Sequence, residues 1–283
     1  NWGWTSLPIM GLFLLSIISL ITFIGWEKKI PHPLVELTLF KNLTFTTLFS
    51  VLLIIQAVAI VFVFLAIFLQ NVLHYSPLMA GLLLLPAMVP IMLMAPVGGH
   101  LRDKYGPTLP MFCGALLVVL SLIWIAIFSH NRGYAWLFPG LLVYGIGMPL
   151  ILSGIMATVM NMVNAQQRGM ASAIFNCARQ FGNTIGLALL TGLLASVNKW
   201  QLNSFLHHSP VPLSRLKEQQ IDGLLVQSDQ AMKAIAHLSL AHIELLKTAA
   251  LNAYTNAFSM TLLAAAILAF LSLFLILKIP RKQ

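Results

Sequence analysis

The residues of this chain best placed to do chemistry are few, and they cluster. Asn176, Arg179, Gln180 and Asn183 recur inside one apolar run, Met170–Val197. At ~100° per residue on a helix they share an arc about 100° wide. Alongside runs Ala178, Gly182 and Gly186, a small-residue stripe that lets a second helix approach closely. A guanidinium in such a run faces a cavity or a partner rather than lipid. Two readings of Arg179 stay open: a wall of a solute pathway, or a structural tie that snorkels to the interface or pairs with an acid on another helix. The second cluster is Gly98-Gly99-His100-Leu101-Arg102-Asp103-Lys104-Tyr105-Gly106, with three consecutive charges bracketed by glycines. Lying between the runs Ala80–Val97 and Leu109–Phe128, it predicts a tight charged hairpin whose glycines take backbone angles that other residues avoid. Asp103 there can cap the positive end of a neighbouring helix or pair with Arg102 or Lys104.

The elements that position these groups follow from composition. Of 283 residues, 59% are hydrophobic and only 8% charged, and the mean hydropathy is +0.90. A soluble protein carries about a quarter of its residues charged, so the chain is integral to a membrane. Its spans are helices rather than a closed barrel, because no stretch alternates apolar and polar residues over about ten positions. Seven runs reach the ~20 residues a bilayer core requires: Leu7–Ile24, Phe45–Leu69, Ala80–Val97, Leu109–Phe128, Ala135–Val159, Met170–Val197 and Tyr254–Leu277. The expected fold is all-α, a polytopic bundle of seven transmembrane helices. Gly140, Gly145, Gly147 and Pro149 in the fifth run fit close packing better than a hinge. Gln56 in the second run is either an interhelical tie or a cavity residue. Cys113 and Cys177 fall inside runs, which predicts small buried hydrophobes rather than a disulfide or metal pair.

Lysines and arginines of short loops mark the cytoplasmic side. Lys28, Lys29, Lys41, Arg102, Lys104, Arg168, Lys278, Arg281 and Lys282 fall on one side, against Arg132 on the other. The C-terminus is therefore expected inside, and the long loop 198–253 outside. The formal charge of +9 follows the same bias and does not point to nucleic acid. Within the long loop, Ile221, Leu225, Met232, Ile235, Ile243 and Leu246 recur at helical spacing. That amphipathic helix lies on the membrane or bundle, or serves as a docking element for an outside partner such as a periplasmic adaptor protein. Asn42-Leu43-Thr44 matches a glycosylation pattern, but on the cytoplasmic side it is not expected to be used. The start at Asn1, followed within a few residues by a span without a basic leader, reads as a truncation.

Several segments resemble a known family. Gly99-x-x-x-Asp103-Lys104-x-Gly106 is similar to the cytoplasmic-loop signature G-x-x-x-D-R/K-x-G of the major facilitator superfamily. Gln167-Arg168-Gly169-Met170-Ala171-Ser172 and Asn176-Cys177-Ala178-Arg179-Gln180-Phe181-Gly182 resemble the fourteen-helix drug:proton antiporter branch, the EmrB/QacA type. So do Leu69-Gln70 with Tyr75–Pro86, Trp2-Gly3-Trp4, and Glu27 with Pro33-Leu34 and Phe40. One departure is Pro107-Thr108-Leu109, where the family loop usually continues with basic residues. The resemblance implies the C-terminal half of a proton-coupled exporter of amphipathic drugs in a bacterial inner membrane. Residues 1–44 would form a linking helix and loop, and 45–283 a six-helix transporter domain whose N-terminal counterpart is missing. It also implies that Gly99, Arg102, Asp103, Lys104 and Gly106 form a cytoplasmic latch against that counterpart. The alternatives are export of another solute, such as a siderophore or metabolite, and a non-transporting truncated fragment.

Coupling chemistry is thin in this chain. All seven acids (Glu27, Glu36, Asp103, Glu218, Asp222, Asp229 and Glu244) fall outside the apolar runs. A titrating carboxylate within the membrane is the natural proton-coupling group, and the resemblance implies that it sits in the missing half. No nucleotide-binding glycine loop, metal-ligand spacing or nucleophile triad is present, so no enzyme, cofactor or metal is expected.

Overall fold

The computed structural model describes residues 6–27, 29–30, 37–131, 133–208 and 240–279, and all regular structure among them is helical. The helices are α1 (Leu7–Glu27), α2 (Leu43–Ala59), α3 (Val61–Asn71), α4 (Pro77–Leu83), α5 (Leu85–Tyr105), α6 (Thr108–Phe128), α7 (Tyr134–Met162), α8 (Arg168–His208) and α9 (Leu240–Leu277). With α2–α3 and α4–α5 each counted as one span, seven are long and apolar enough to cross a membrane, as the sequence predicts. Most of the amphipathic segment Ser214–Leu246, together with Trp2-Gly3-Trp4, Lys28, Glu36, Arg132, Arg281 and Lys282, lies outside the described residues.

Two spans contain a break that hydropathy does not reveal. At Leu84 the cause is local: Pro86 has no N–H, and its ring crowds the carbonyl of Leu82, so the helix restarts. At Ile60 neither glycine nor proline is present; the Ile60 N–H turns back to the carbonyl of Val58. The backbone of Ala57, one turn earlier, is where Gly186 of α8 packs.

Contacts order the helices into two rows. α5, α7, α2 and α8 stand side by side in the front row, with α6 behind α7 and α9 behind α2 and α8. Lipid supplies no hydrophobic drive between helices, so small residues and close backbone approach hold them. A Cβ on Gly114 of α6 would lie 2.6 Å from the Gly147 carbonyl of α7, and one on Gly147 2.7 Å from the Gly114 carbonyl. Gly145 is pressed against the Ala87 carbonyl of α5, and Gly182 would place a Cβ 2.5 Å from the Leu53 carbonyl of α2. α7 runs unbroken through Pro139 and Pro149, so its glycines pack rather than bend, as expected. Buried large side chains, including Phe45, Phe68, Phe175 and Phe258, fill the space between rows; Phe68 and Phe258 stack with ring centroids 4.5 Å apart.

α8 and α9 are longer than a membrane requires. Their 41 and 38 residues span roughly 60 Å at 1.5 Å per residue, against a ~30 Å hydrocarbon core. Residues 198–208 and 240–253, read from hydropathy as part of a loop, are helical continuations of the two spans. Side-chain pairing ties this end: His130 Nε2 lies 2.8 Å from Asn256 Oδ1, and Asn256 Nδ2 donates to Gln201 Oε1 at 3.0 Å. Three elements meet at that point.

The glycine seam between α8 and α2 makes a direct prediction. Gly186→Val should lower stability by about 1–3 kcal/mol through overpacking, read as a lower melting temperature in detergent. Gly192→Val, at a position with nothing within 4 Å of an added Cβ, should leave it nearly unchanged.

Candidate functional site

The small-residue stripe of α8 sets the placement of its polar arc. Ala178, Gly182 and Gly186 are buried, the two glycines against α2. Asn176, Arg179 and Gln180 are exposed, and Asn183 is half-buried. No side-chain hydrogen bond or ion pair is made by these four among the described residues. Gln56 is buried at the α2–α8 seam, its Cβ 2.9 Å from where a Cβ on Gly182 would sit. The arc expected from the sequence is thus present, held as one open polar face beside the seam. Cys177 on this helix and Cys113 on α6 are both exposed and unbridged, which corrects the expectation of buried cysteines. Each lies on a helix face that no other described helix covers.

The charged hairpin needs a larger correction. Gly98, Gly99, His100, Leu101, Arg102, Asp103, Lys104 and Tyr105 are all helical, the last two turns of α5. Only Gly106 carries the chain through a left-handed backbone angle, φ +79°, before Pro107 leads into α6. Gly98 is needed for contact instead: a Cβ there would meet Ser153 Oγ of α7 at 2.6 Å, whereas Gly99 faces open space. Glycine spacing alone could not separate a turn from a packed helix end. Arg102 Nε donates to Asp103 Oδ1 at 2.9 Å, and Arg102 Nη2 donates to the same oxygen. Lys104 instead lies over the Tyr105 ring, 5.2 Å from its centroid. Among the described residues Asp103 caps no helix: α6 has no side-chain cap, and α2 is capped by Asn42, whose Oδ1 accepts from the N–H groups of Thr44 at 2.9 Å and Phe45 at 3.4 Å.

These groups border a cavity of about 590 Å³ at this end of the bundle, lined by Asn42, Thr44, Arg102, Asp103, Gly106, Thr158, Asn161 and Ile279. Thr158 and Asn161 were not legible as site residues. They close the final turn of α7, and the only sequence signal was polar side chains ending an apolar run. Tyr144 was also missed: it is buried in α7, its ring meets Phe62 at 4.7 Å, and its hydroxyl has no hydrogen-bond partner among the described residues.

A helical bundle of seven apolar spans, with one exposed polar face on α8, defines a multi-pass membrane protein. The chain belongs to the Major Facilitator Superfamily, whose family model matches residues 1–187; this is a family of membrane transporters and not of enzymes. The chain is 31% identical over 215 residues to the multidrug resistance protein Stp of Mycobacterium tuberculosis, covering 75% of this chain and 40% of Stp. It is 27% identical over 197 residues to the tetracenomycin C resistance and export protein of Streptomyces glaucescens, covering 69% and 36%. The multidrug transporter protein MdtP of Bacillus subtilis is 24% identical over 291 residues, covering 97% of this chain and 54% of MdtP. Among solved structures, a bacterial homologue of the human lysosomal transporter Spinster, inward-facing and occupied, shares the fold. Its TM-score is 0.58 at 16% identity, over 84% of this chain and 49% of that one. The chain thus spans about two fifths of the length of the curated relatives Stp and the tetracenomycin C exporter.

The turn geometry is testable. Gly106→Val forces a branched side chain into the left-handed region and should cost about 1–2 kcal/mol, seen as a lower melting temperature. Gly99→Ala, in open helix, should be neutral or slightly stabilising in the same measurement.

Proposed function

We propose that this chain forms the second half of a proton-coupled exporter of drugs or other amphipathic toxic compounds. The observation that carries the reading is family membership combined with relatives that are named for multidrug resistance or drug export. The fold supports it physically. α5 buries only Ala87 and Gly98, and α8 leaves its amide and arginine face open. Two front-row helices with free faces suit a bundle that closes against a second one. Residues 45–283 are that six-helix domain, and residues 1–44 carry the linking helix α1, whose side chains from Leu7 to Trp26 are largely exposed.

In this reading the Gly106 end is cytoplasmic, as its lysines and arginines suggest, and the extended ends of α8 and α9 face outward, where an adaptor protein has room to dock. Asn176, Arg179, Gln180 and Asn183 line or border the solute pathway. The Arg102–Asp103 pair, at the mouth of the 590 Å³ cavity, is the latch element, remade against the other half as access alternates. Glu27, Asp103 and Glu244 stand at or near helix ends, so the carboxylate that couples protons is supplied by the other half.

In an efflux-deficient bacterial host, the intact transporter should raise the inhibitory concentration of several lipophilic drugs, and a protonophore should abolish the gain. This chain alone, in proteoliposomes, should give no proton-driven efflux. Proton-driven efflux by the chain alone would overturn the division of labour. Transport confined to a siderophore or metabolite would overturn the drug assignment.

A further inference from the structure

Arg179 is an exposed charge on the apolar helix α8, with no counter-charge among the described residues. It lies eleven residues beyond Arg168, the start of α8, which places it roughly 16 Å along the helix at 1.5 Å per residue. That distance exceeds what a three-methylene stem and guanidinium can span back to the Arg168 end of α8. Described acids offer nothing: Asp103 is held by Arg102, Glu244 stands on the extension of α9, and Glu27 ends α1. Neighbouring Asn176, Gln180 and Asn183 provide hydrogen-bonding amides on the same face but no charge. Nor can the helix turn Arg179 inward, since Gly182 and Gly186 are seated on the α2 backbone at Leu53 and Ala57.

We infer that Arg179 anchors an intramembrane ion pair whose carboxylate is an aspartate or glutamate side chain on a helix of the other half, docked across the amide face of α8. This rests on the reading of the chain as one half of a transporter. Charge complementarity selects the occupant. A planar guanidinium takes a carboxylate through two parallel hydrogen bonds, and the flanking amides can satisfy that carboxylate's remaining lone pairs. The pair would register the two halves along α8, away from the Arg102–Asp103 cluster at the end of α5.

The test uses the full-length transporter in detergent, with melting temperature as the first readout and drug export as the second. Arg179→Glu should lower the melting temperature by roughly 5–10 °C, as expected when one partner of a low-dielectric pair is reversed. Each acid within the spans of the other half is then replaced by lysine, singly, in the Arg179→Glu background. One such replacement should return the melting temperature to near that of the unaltered protein, although alone it is as damaging as Arg179→Glu. If Arg179→Glu does not fold, a cycle of Arg179→Gln with each acid changed to its amide should show one strongly non-additive pair. No restoring or coupled acid would overturn the inference. So would an Arg179→Gln protein of unchanged melting temperature whose preference for acidic over cationic substrates is altered, because the carboxylate would then be the solute's own. Failure of the unaltered protein to export drugs would remove the functional reading and leave the melting comparison to decide the pair.

Discussion

Close approach of backbones at glycine holds this bundle together, and the placement of the polar face of α8 follows from it. Within lipid a helix gains nothing by moving its leucines from tails to a neighbour. What it gains is contact area, and that is greatest where no side chain intervenes. Gly114 and Gly147 meet carbonyl to Cα across α6 and α7, while Gly145 does the same against Ala87 of α5. α7 is therefore clamped on two sides, and it runs unbroken through its two internal prolines. Gly182 and Gly186 clamp α8 onto α2, and that contact decides which side of α8 is left to carry Asn176, Arg179 and Gln180.

Burial is asymmetric across the bundle. α5 buries only Ala87 and Gly98, whereas α8 buries one continuous side, from Ala171 and Phe175 through Ala178, Gly182 and Gly186 to Leu190 and Leu194. The His130–Asn256–Gln201 chain joins α8, α9 and the turn after α6 at one end of the bundle.

Much of this architecture was legible from residues alone, for a plain reason. A bilayer demands about twenty apolar residues per crossing, so hydropathy locates spans nearly independently of tertiary contacts. The polar arc and the small-residue stripe of α8 followed from helical periodicity. Where the reading failed, the deciding interaction was between helices. Gly98 was assigned to a turn because two glycines adjoined a charge cluster, yet it is helical and packs against Ser153 of α7. Cys113 and Cys177 were expected to be buried because their runs were apolar, but an apolar residue in a membrane helix faces lipid as readily as protein. The break at Ile60 had no local mark at all.

The sequence by itself determined the class of protein, the number of crossings, the residues on each face of α8 and the scarcity of acids within the membrane. Those follow from composition and from the 3.6-residue period, which act within a single helix. Only the tertiary structure decided that the charged segment finishes α5 and turns at Gly106 alone. It also decided that α8 and α9 continue as helices well past the apolar runs, and that the Arg179 face is left open. Those outcomes depend on which backbones can approach, and approach is a property of pairs of helices that no single stretch encodes.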